Sequence, residues 1–533
     1  MFSSPKSPAQ KSLPPIPIEL LILLGGLLWR GIIAFWLFPG YDEAYYYLYS
    51  QHLDWSYFDH PVLVALTTGF GPRITGVVSQ FTIRLGSLIL YTGSLWLLYL
   101  TSRWLFNVQA ARLTLAIASL IPIFQVGFGV LTLPDSPLIF FWSATLLCAA
   151  KEFFPLSPPE RPTYRLAILG VLVGLTCLGK YHGFILGLGL IGFSLTSPPH
   201  RRVFLSPWTI LGLSLFILTL FPLWFWNIQH DWISLTFQLS SRFQPEPGIP
   251  KSGYNFLGVI VVFLAGIGYL FPTFGVPLWW ISFRSLIAKN NHKYLFILWV
   301  SLPLTIGFTL LGGKEQILAG WPMPGFWGLT LILGQYAQSW SQVWVRHWLK
   351  NSAIAIISLL LLILLHITTG IWQKPGEYAF FGGFLSPKND PSTELIDIRQ
   401  LRRGFTDSPV LSAALANSHF VFTNAYYLGG LIEMALQPLT AIPVTCFSED
   451  LRGFAFWWQP DQWIGKDALY ITLERFHQMP QLTNEFRRYF KYFEEIGTIP
   501  MKRGGVVTEV FHVYQATHYQ LSINAESPHD AFY

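Results

Sequence analysis

The chain has 533 residues, of which 52% are hydrophobic and only 12% charged, and its formal net charge is +6. Soluble domains carry about 25% charged residues, so this deficit, with a mean hydropathy of +0.43, excludes an ordinary soluble protein and points to a polytopic α-helical membrane protein. The modest positive charge gives no argument for nucleic acid, and three scattered cysteines without a CxxC exclude a disulfide framework or a zinc ribbon.

In chain order, residues 1–17 read as a polar, Pro-rich cytoplasmic tail with Lys6 and Lys11. The first apolar run, Ile18–Phe38, lacks a small-residue cleavage site and reads as an uncleaved span. A helix needs about 20 apolar residues to cross a bilayer core. Further runs of that kind are predicted at Thr82–Thr101, Leu113–Val130, Pro137–Phe154, Arg165–Gly179, Gly183–Thr196, Trp208–Trp226, Phe256–Trp279, Tyr294–Leu311, Trp321–Gln335 and Ala353–Trp372. That makes about eleven spans, and up to thirteen if long runs hide breaks at Pro272 or Pro277. With the N-terminus inside, the inner loops collect Arg103, Arg112, Lys151, Arg201, Arg202 and Arg284 among others, while the outer ones hold only Arg73, Lys180, Arg242, Lys251 and Lys314. This asymmetry follows the positive-inside rule. It places the first large loop, residues 39–81, and everything after residue 372 on the outer side of the plasma membrane. From 373 to 533 charges become frequent and long apolar runs stop, so a soluble extracytoplasmic α/β domain is predicted. Its expected strands are Phe420–Thr423, Ala468–Thr472 and Val506–Tyr514, and its expected helices are Tyr426–Leu436 and Glu474–Phe490.

The chemistry-bearing residues cluster at the outer membrane surface, where ionisable groups are costly and usually functional. Asp42 and Glu43 open a predicted helix, Asp42 to His52, after Pro39-Gly40. Carboxylates suit a helix N-terminus, but helical spacing also sets Asp42 beside Tyr45, Tyr46 and Tyr49. Successive residues point about 100° apart, so the two acids have different tasks. Asp59-His60-Pro61 reads either as a solvated turn or as a sugar- or phosphate-recognising pair. Asp135, between the third and fourth spans, is either a helix cap or a third acid of the same site. Lys180 and Lys314 are outer cations that either snorkel to head groups or neutralise a phosphate. Trp226-Asn227-Ile-Gln-His230-Asp231-Trp232 opens an interfacial amphipathic segment; His230 and Asp231 are candidate metal ligands with Asp42. No nucleotide or hydrolase motif is present.

Taken in order, Tyr41-Asp42-Glu43-Ala-Tyr-Tyr, Tyr57-Phe-Asp59-His60-Pro61, Leu131-Thr-Leu-Pro-Asp135-Ser-Pro, Gly179-Lys180-Tyr181, Trp226-Asn227-Ile-Gln-His-Asp-Trp232 and Trp321-Pro322 resemble the lipid-linked (GT-C) glycosyltransferases. The nearest branch holds the protein O-mannosyltransferases and the aminoarabinose transferase of lipid A. The resemblance implies a GT-C fold, a sugar donor on polyprenyl phosphate, inversion at the anomeric carbon and an envelope acceptor that is a lipid, a glycan or a protein. It makes Asp42 the essential acid, Glu43 its acidic partner, Asp59 the acid of the second loop motif and Asp135 that of the second outer loop. His60 stands where the aminoarabinose transferase has lysine, and neutral His is the poorer counter-ion. On this reading Asp42 is the base, and Asp59, His60, Asp135, Lys180, Lys314 and Tyr46 bind substrate. No cofactor is certain and a divalent metal is left open. The alternative is a transporter or flippase of lipid-linked sugars, which predicts charges near mid-span, where these runs have few.

Overall fold

The computed structural model describes residues 17–157, 161–239, 253–287, 291–376 and 379–520. The N-terminal tail with Lys6 and Lys11, and the outer cations Arg242 and Lys251, lie outside these residues.

Every apolar stretch expected to span is helical, but several are broken. α1 (Ile18–Trp36) exposes Leu21, Leu24 and Leu28 on one face, as a helix facing lipid does. The loop after it folds into α2 (Tyr41–Gln51) and α3 (Leu63–Thr75). α4 (Leu85–Leu105) and α5 (Val108–Leu120) follow, and after α5 a five-residue π-helical turn, Phe124–Phe128, leads to α6 (Asp135–Phe153). α7 (Arg165–Gly179) and α8 (Gly183–Thr196) break at Lys180–His182. α9 (Pro207–Thr219), α10 (Phe221–Gln229) and the short α11 (Ile233–Leu239) divide the seventh run and its amphipathic sequel. The long Phe256–Trp279 run is α12 (Phe256–Tyr269) and α13 (Pro272–Ile287), parted at Phe271, whose φ is +66°. The proline cannot donate the hydrogen bond that would continue the helix. α14 (His292–Trp299) and α15 (Leu302–Leu311) meet at a 41° bend. α16 (Met323–Ala337) is almost wholly buried, and α17 (Gln342–Thr369) closes the membrane part. Among the described residues three helices have the length and hydropathy of a full span, five if two bent pairs each count as one, and others are apolar but shorter. The stretches expected to span thus fall on a mixture of long, bent and short helices.

Beyond α17 lie α18 (Ile398–Asp407), α19 (Pro409–Asn417) and α20 (Tyr426–Leu436), with α21 (Phe454–Trp457), α22 (Glu474–His477) and α23 (Pro480–Arg488) between strands. The strands are β1 (Phe420–Thr423), β2 (Val444–Cys446), β3 (Ala468–Leu473), β4 (Phe490–Arg503) and β5 (Val506–Tyr519). They form one sheet in the order β2-β1-β3-β5-β4, parallel across β2-β1-β3 and antiparallel from there on. The expected helix Glu474–Phe490 is split by Pro480 into α22 and α23, and β4 is a strand that the sequence did not announce.

The sheet does not stand apart from the loop that holds α2. Ala44 and Tyr47 of α2 share one apolar core with Leu428 and Leu431 of α20 and Ile471 of β3. α20 crosses α2 at Gly430, where an added Cβ would lie 2.2 Å from the Ala44 carbonyl oxygen. Only a small residue allows two helix backbones to approach so closely.

Candidate active site

The turn from α1 into α2 is built on a buried ion pair. Arg84 donates to both carboxylate oxygens of Glu43, at 2.8 and 2.5 Å. It also donates to the carbonyls of Ala34, Leu37 and Phe38, which the end of α1 leaves without helical partners. Glu43 in turn accepts from the backbone N–H of Thr132 and of Gly40. Both side chains are buried, and a charge is tolerated there because every polar atom has a partner. Glu43 therefore does not line the cavity that Asp42 enters. The two neighbours point into different surroundings, as their angular separation on the helix predicts.

That cavity has a volume of about 890 Å³. Its polar wall carries Asp42, Asp59, His60, Asp135, Lys180 and Arg452, and Tyr46 stands beside them. Its apolar wall includes Phe128, Phe184, Ile185, Trp224, Phe308 and Trp321. The chain thus brings together six of the eight residues singled out in its sequence. The two it leaves out are Glu43, for the reason just given, and Lys314, which is exposed in the turn after α15.

Two of the three acids in the cavity are bound to cations that also line it. Lys180, at the break after α7, reaches both oxygens of Asp135 at 3.0 and 2.8 Å. Asp135 is the first residue of α6 and caps no backbone N–H with its side chain; its charge suits the positive end of the helix. Asp59 accepts from the Tyr49 hydroxyl and from Arg452, the latter at 3.1 Å. Arg452 comes from the loop before α21, pairs also with Asp450, and lies 4.4 Å over the ring of Tyr426. Burial opposes its charge, but Asp59 and Asp450 outweigh burial and hold its pKa above the ordinary arginine value. Burial, and then the negative charges of Asp42 and Asp59, keep the Tyr46 hydroxyl protonated far above its usual range. His60 presents its ring edge-on to Tyr46 at 5.5 Å.

The metal ligands suggested around Asp42 do not assemble. His230 sits 2.8 Å from the Trp226 carbonyl, stacked on that indole, and neither it nor Asp231 lines the cavity. Among the described residues one group has metal-like spacing, His477, Glu495 and His512, and it belongs to the sheet region. There both ring nitrogens of His512 already face carboxylates, Glu495 at 2.7 Å and Glu474 at 2.6 Å.

Sequence reading missed Arg84 and Arg452. Arg84 hid at the edge of a predicted span, where its charge was the only signal. Arg452 is 393 residues from Asp59, and no local pattern marks it.

The resemblance drawn from the motifs is borne out by comparison with known proteins, and the fold is shared with a GT-C enzyme. Residues 59–226 match the family described as dolichyl-phosphate-mannose-protein mannosyltransferase. The chain is 25% identical over 318 residues to the lipid A galacturonosyltransferase RgtD of Rhizobium johnstonii, a match covering 59% of this chain and 64% of that relative's length. It shares its fold with ArnT from Cupriavidus metallidurans in the apo state: the TM-score is 0.60 at 14% identity, over 93% of this chain and 97% of the other. The same enzyme bound to undecaprenyl phosphate superposes with a TM-score of 0.56 at 14% identity, over 96% and 98% of the two chains.

Proposed function

We propose that this chain is an integral-membrane inverting glycosyltransferase that moves a sugar from a polyprenyl-phosphate donor to an envelope acceptor at the outer face of the membrane. The observation that carries this reading is a single cavity with one acid wall, two acid–cation pairs and an apolar wall. The likeness to RgtD favours a lipid as acceptor, and the likeness to an enzyme seen with undecaprenyl phosphate favours that class of donor.

In this reading the isoprenoid lies along Phe184, Ile185 and Phe308, and its phosphate meets Lys180 and Arg452. An acceptor hydroxyl attacks the anomeric carbon from the face opposite the phosphate. The new C–O bond forms as the bond to the phosphate oxygen breaks, so the centre inverts in one step. Asp42 takes the hydroxyl proton, a role worth about 10²–10⁴-fold in rate. The leaving phosphate needs its growing charge met more than it needs a proton. Lys180 and Arg452 supply that charge; Asp135 and Asp59 hold them in place before the donor arrives. Glu43 is a positioning residue, because through Arg84 it fixes where α2 begins and so where Asp42 points.

The test is transfer in proteoliposomes with undecaprenyl-phosphate sugars and lipid acceptors. Asp42→Asn should lower transfer by about 10²–10⁴-fold while leaving the melting temperature unchanged. Full activity in that variant removes the assignment of the base. Movement of the donor between leaflets without transfer replaces the enzyme by a flippase.

A further inference from the structure

Directly after α17 the chain makes a loop that turns three phenylalanines outward. Lys374 N–H donates to the Leu385 carbonyl, Phe380 N–H to Ile371, and Phe384 N–H to Trp372. The returning strand of the loop is thus fastened to the residues that immediately follow the helix. At its tip Phe381 holds a left-handed φ of +54°, followed by Gly382 and Gly383 at +80° and +75°. Phe380, Phe381 and Phe384 are 52%, 107% and 67% exposed. Three phenylalanines turned outward from a short loop are costly in water.

The height of this loop follows from α17. Lys350 is the last basic residue of that helix before its apolar run. From there to Thr369 the helix rises roughly 29 Å at about 1.5 Å per residue, which matches a hydrocarbon core of about 30 Å. Leu361, Leu362 and Leu365, on its last turns, are exposed, so its lipid-facing surface runs up to the loop. The loop therefore begins where the hydrocarbon ends. Exposed Lys374 and Lys388 flank the aromatic tip, as suits anionic head groups. The loop is also tied to the sheet. His366 of α17 meets Asp390 at 2.9 Å, and Arg503 at the end of β4 bonds Ser392 at 2.7 Å.

We propose that Phe380, Phe381 and Phe384 insert into the interfacial layer of the bilayer and hold the sheet region at a fixed height over the membrane. The occupant of this apolar surface is phospholipid. The inference rests on the membrane reading of α17 and is independent of the catalytic one.

The test uses the full chain in vesicles of phosphatidylethanolamine and phosphatidylglycerol, with Phe381→Cys carrying an environment-sensitive NBD label. The three native cysteines are buried or half-buried, and the labelled parent gives the background. Tyr492→Cys, an exposed position at the end of β4 remote from Arg503, is the aqueous reference. Label at 381 should emit to the blue of the label at 492 and lose at least half its intensity to shallow doxyl-lipid, with little quenching by iodide. Emission and iodide quenching equal to those at 492 overturn the proposal. Shielding that disappears on diluting the protein, without lipid quenching, also overturns it, because a second copy then covers the loop. Phe384→Cys gives the same reading if Phe381→Cys does not fold, and transfer activity plays no part in either result.

Discussion

Adjacent acids in one helical turn have come to different surroundings. Glu43 is held by Arg84 and two backbone N–H groups; Asp42 faces the cavity. Glu43→Gln leaves a buried guanidinium without its counter-charge, so a loss of about 3–5 kcal/mol of stability is expected, read as a large fall in melting temperature with little folded protein recovered. Arg452→Ala should act differently. It strips the cavity of one cation and leaves Asp59 unpaired there, so transfer should fall about 10²–10³-fold. Arg452→Lys should recover part of it, since a point charge replaces a planar fork; steady-state rates of the two variants check this. Asp42, Asp59, Asp135 and Lys180 were legible in the sequence because each interrupts an apolar stretch or sits at its end. Arg452 was not, because nothing near residue 452 reveals that it meets Asp59. Lys314 has the same local appearance as Lys180, and only packing separates them: one is at a helix break facing the cavity, the other in an exposed turn.

At the scale of elements, the approach of α20 to α2 depends on one residue without a side chain. Gly430→Ala would push a methyl group into the Ala44 carbonyl, and overpacking of this kind costs about 1–3 kcal/mol. Gly268→Ala, whose added methyl meets open space, is the control. The expected outcome is a lower melting temperature and faster proteolysis of the sheet region in the first variant only. Helices with a clean apolar run, such as α1 and α7, were readable to within a residue or two. The break at Phe271 was flagged by Pro272. β4 escaped notice for a physical reason: it is an edge strand, with charged residues facing solvent and a proline at position 500. Those are the devices that keep an edge from pairing with other chains, and they also erase the alternating pattern by which a strand is recognised.

For the molecule as a whole, the membrane helices and the sheet region are joined through the core that contains α2 and α20, so stability is shared. Glu433 of α20 sits by that core, and burial pushes its carboxyl up to about 7 from an ordinary 4.5. An acid whose folded pKa is raised contributes stability below its unfolded pKa and loses it as pH climbs to the folded one. The wild-type chain should therefore lose stability relative to Glu433→Gln between about pH 4.5 and 7, with a constant gap above. Melting temperatures of both chains across that range measure it. Composition changes near residue 373, but it gives no sign of the core that α2 and α20 share, since the residues that form it are ordinary apolar ones and a glycine.

The pairing of Asp59 with Arg452 also bears on how the protein is made. When a ribosome has delivered the loop that bears Asp59, the arginine that completes the pocket is still 393 residues away. A nascent or prematurely terminated product carries its acids to the membrane surface without the partner that completes their wall. The pocket is thus complete only in copies synthesised past residue 452.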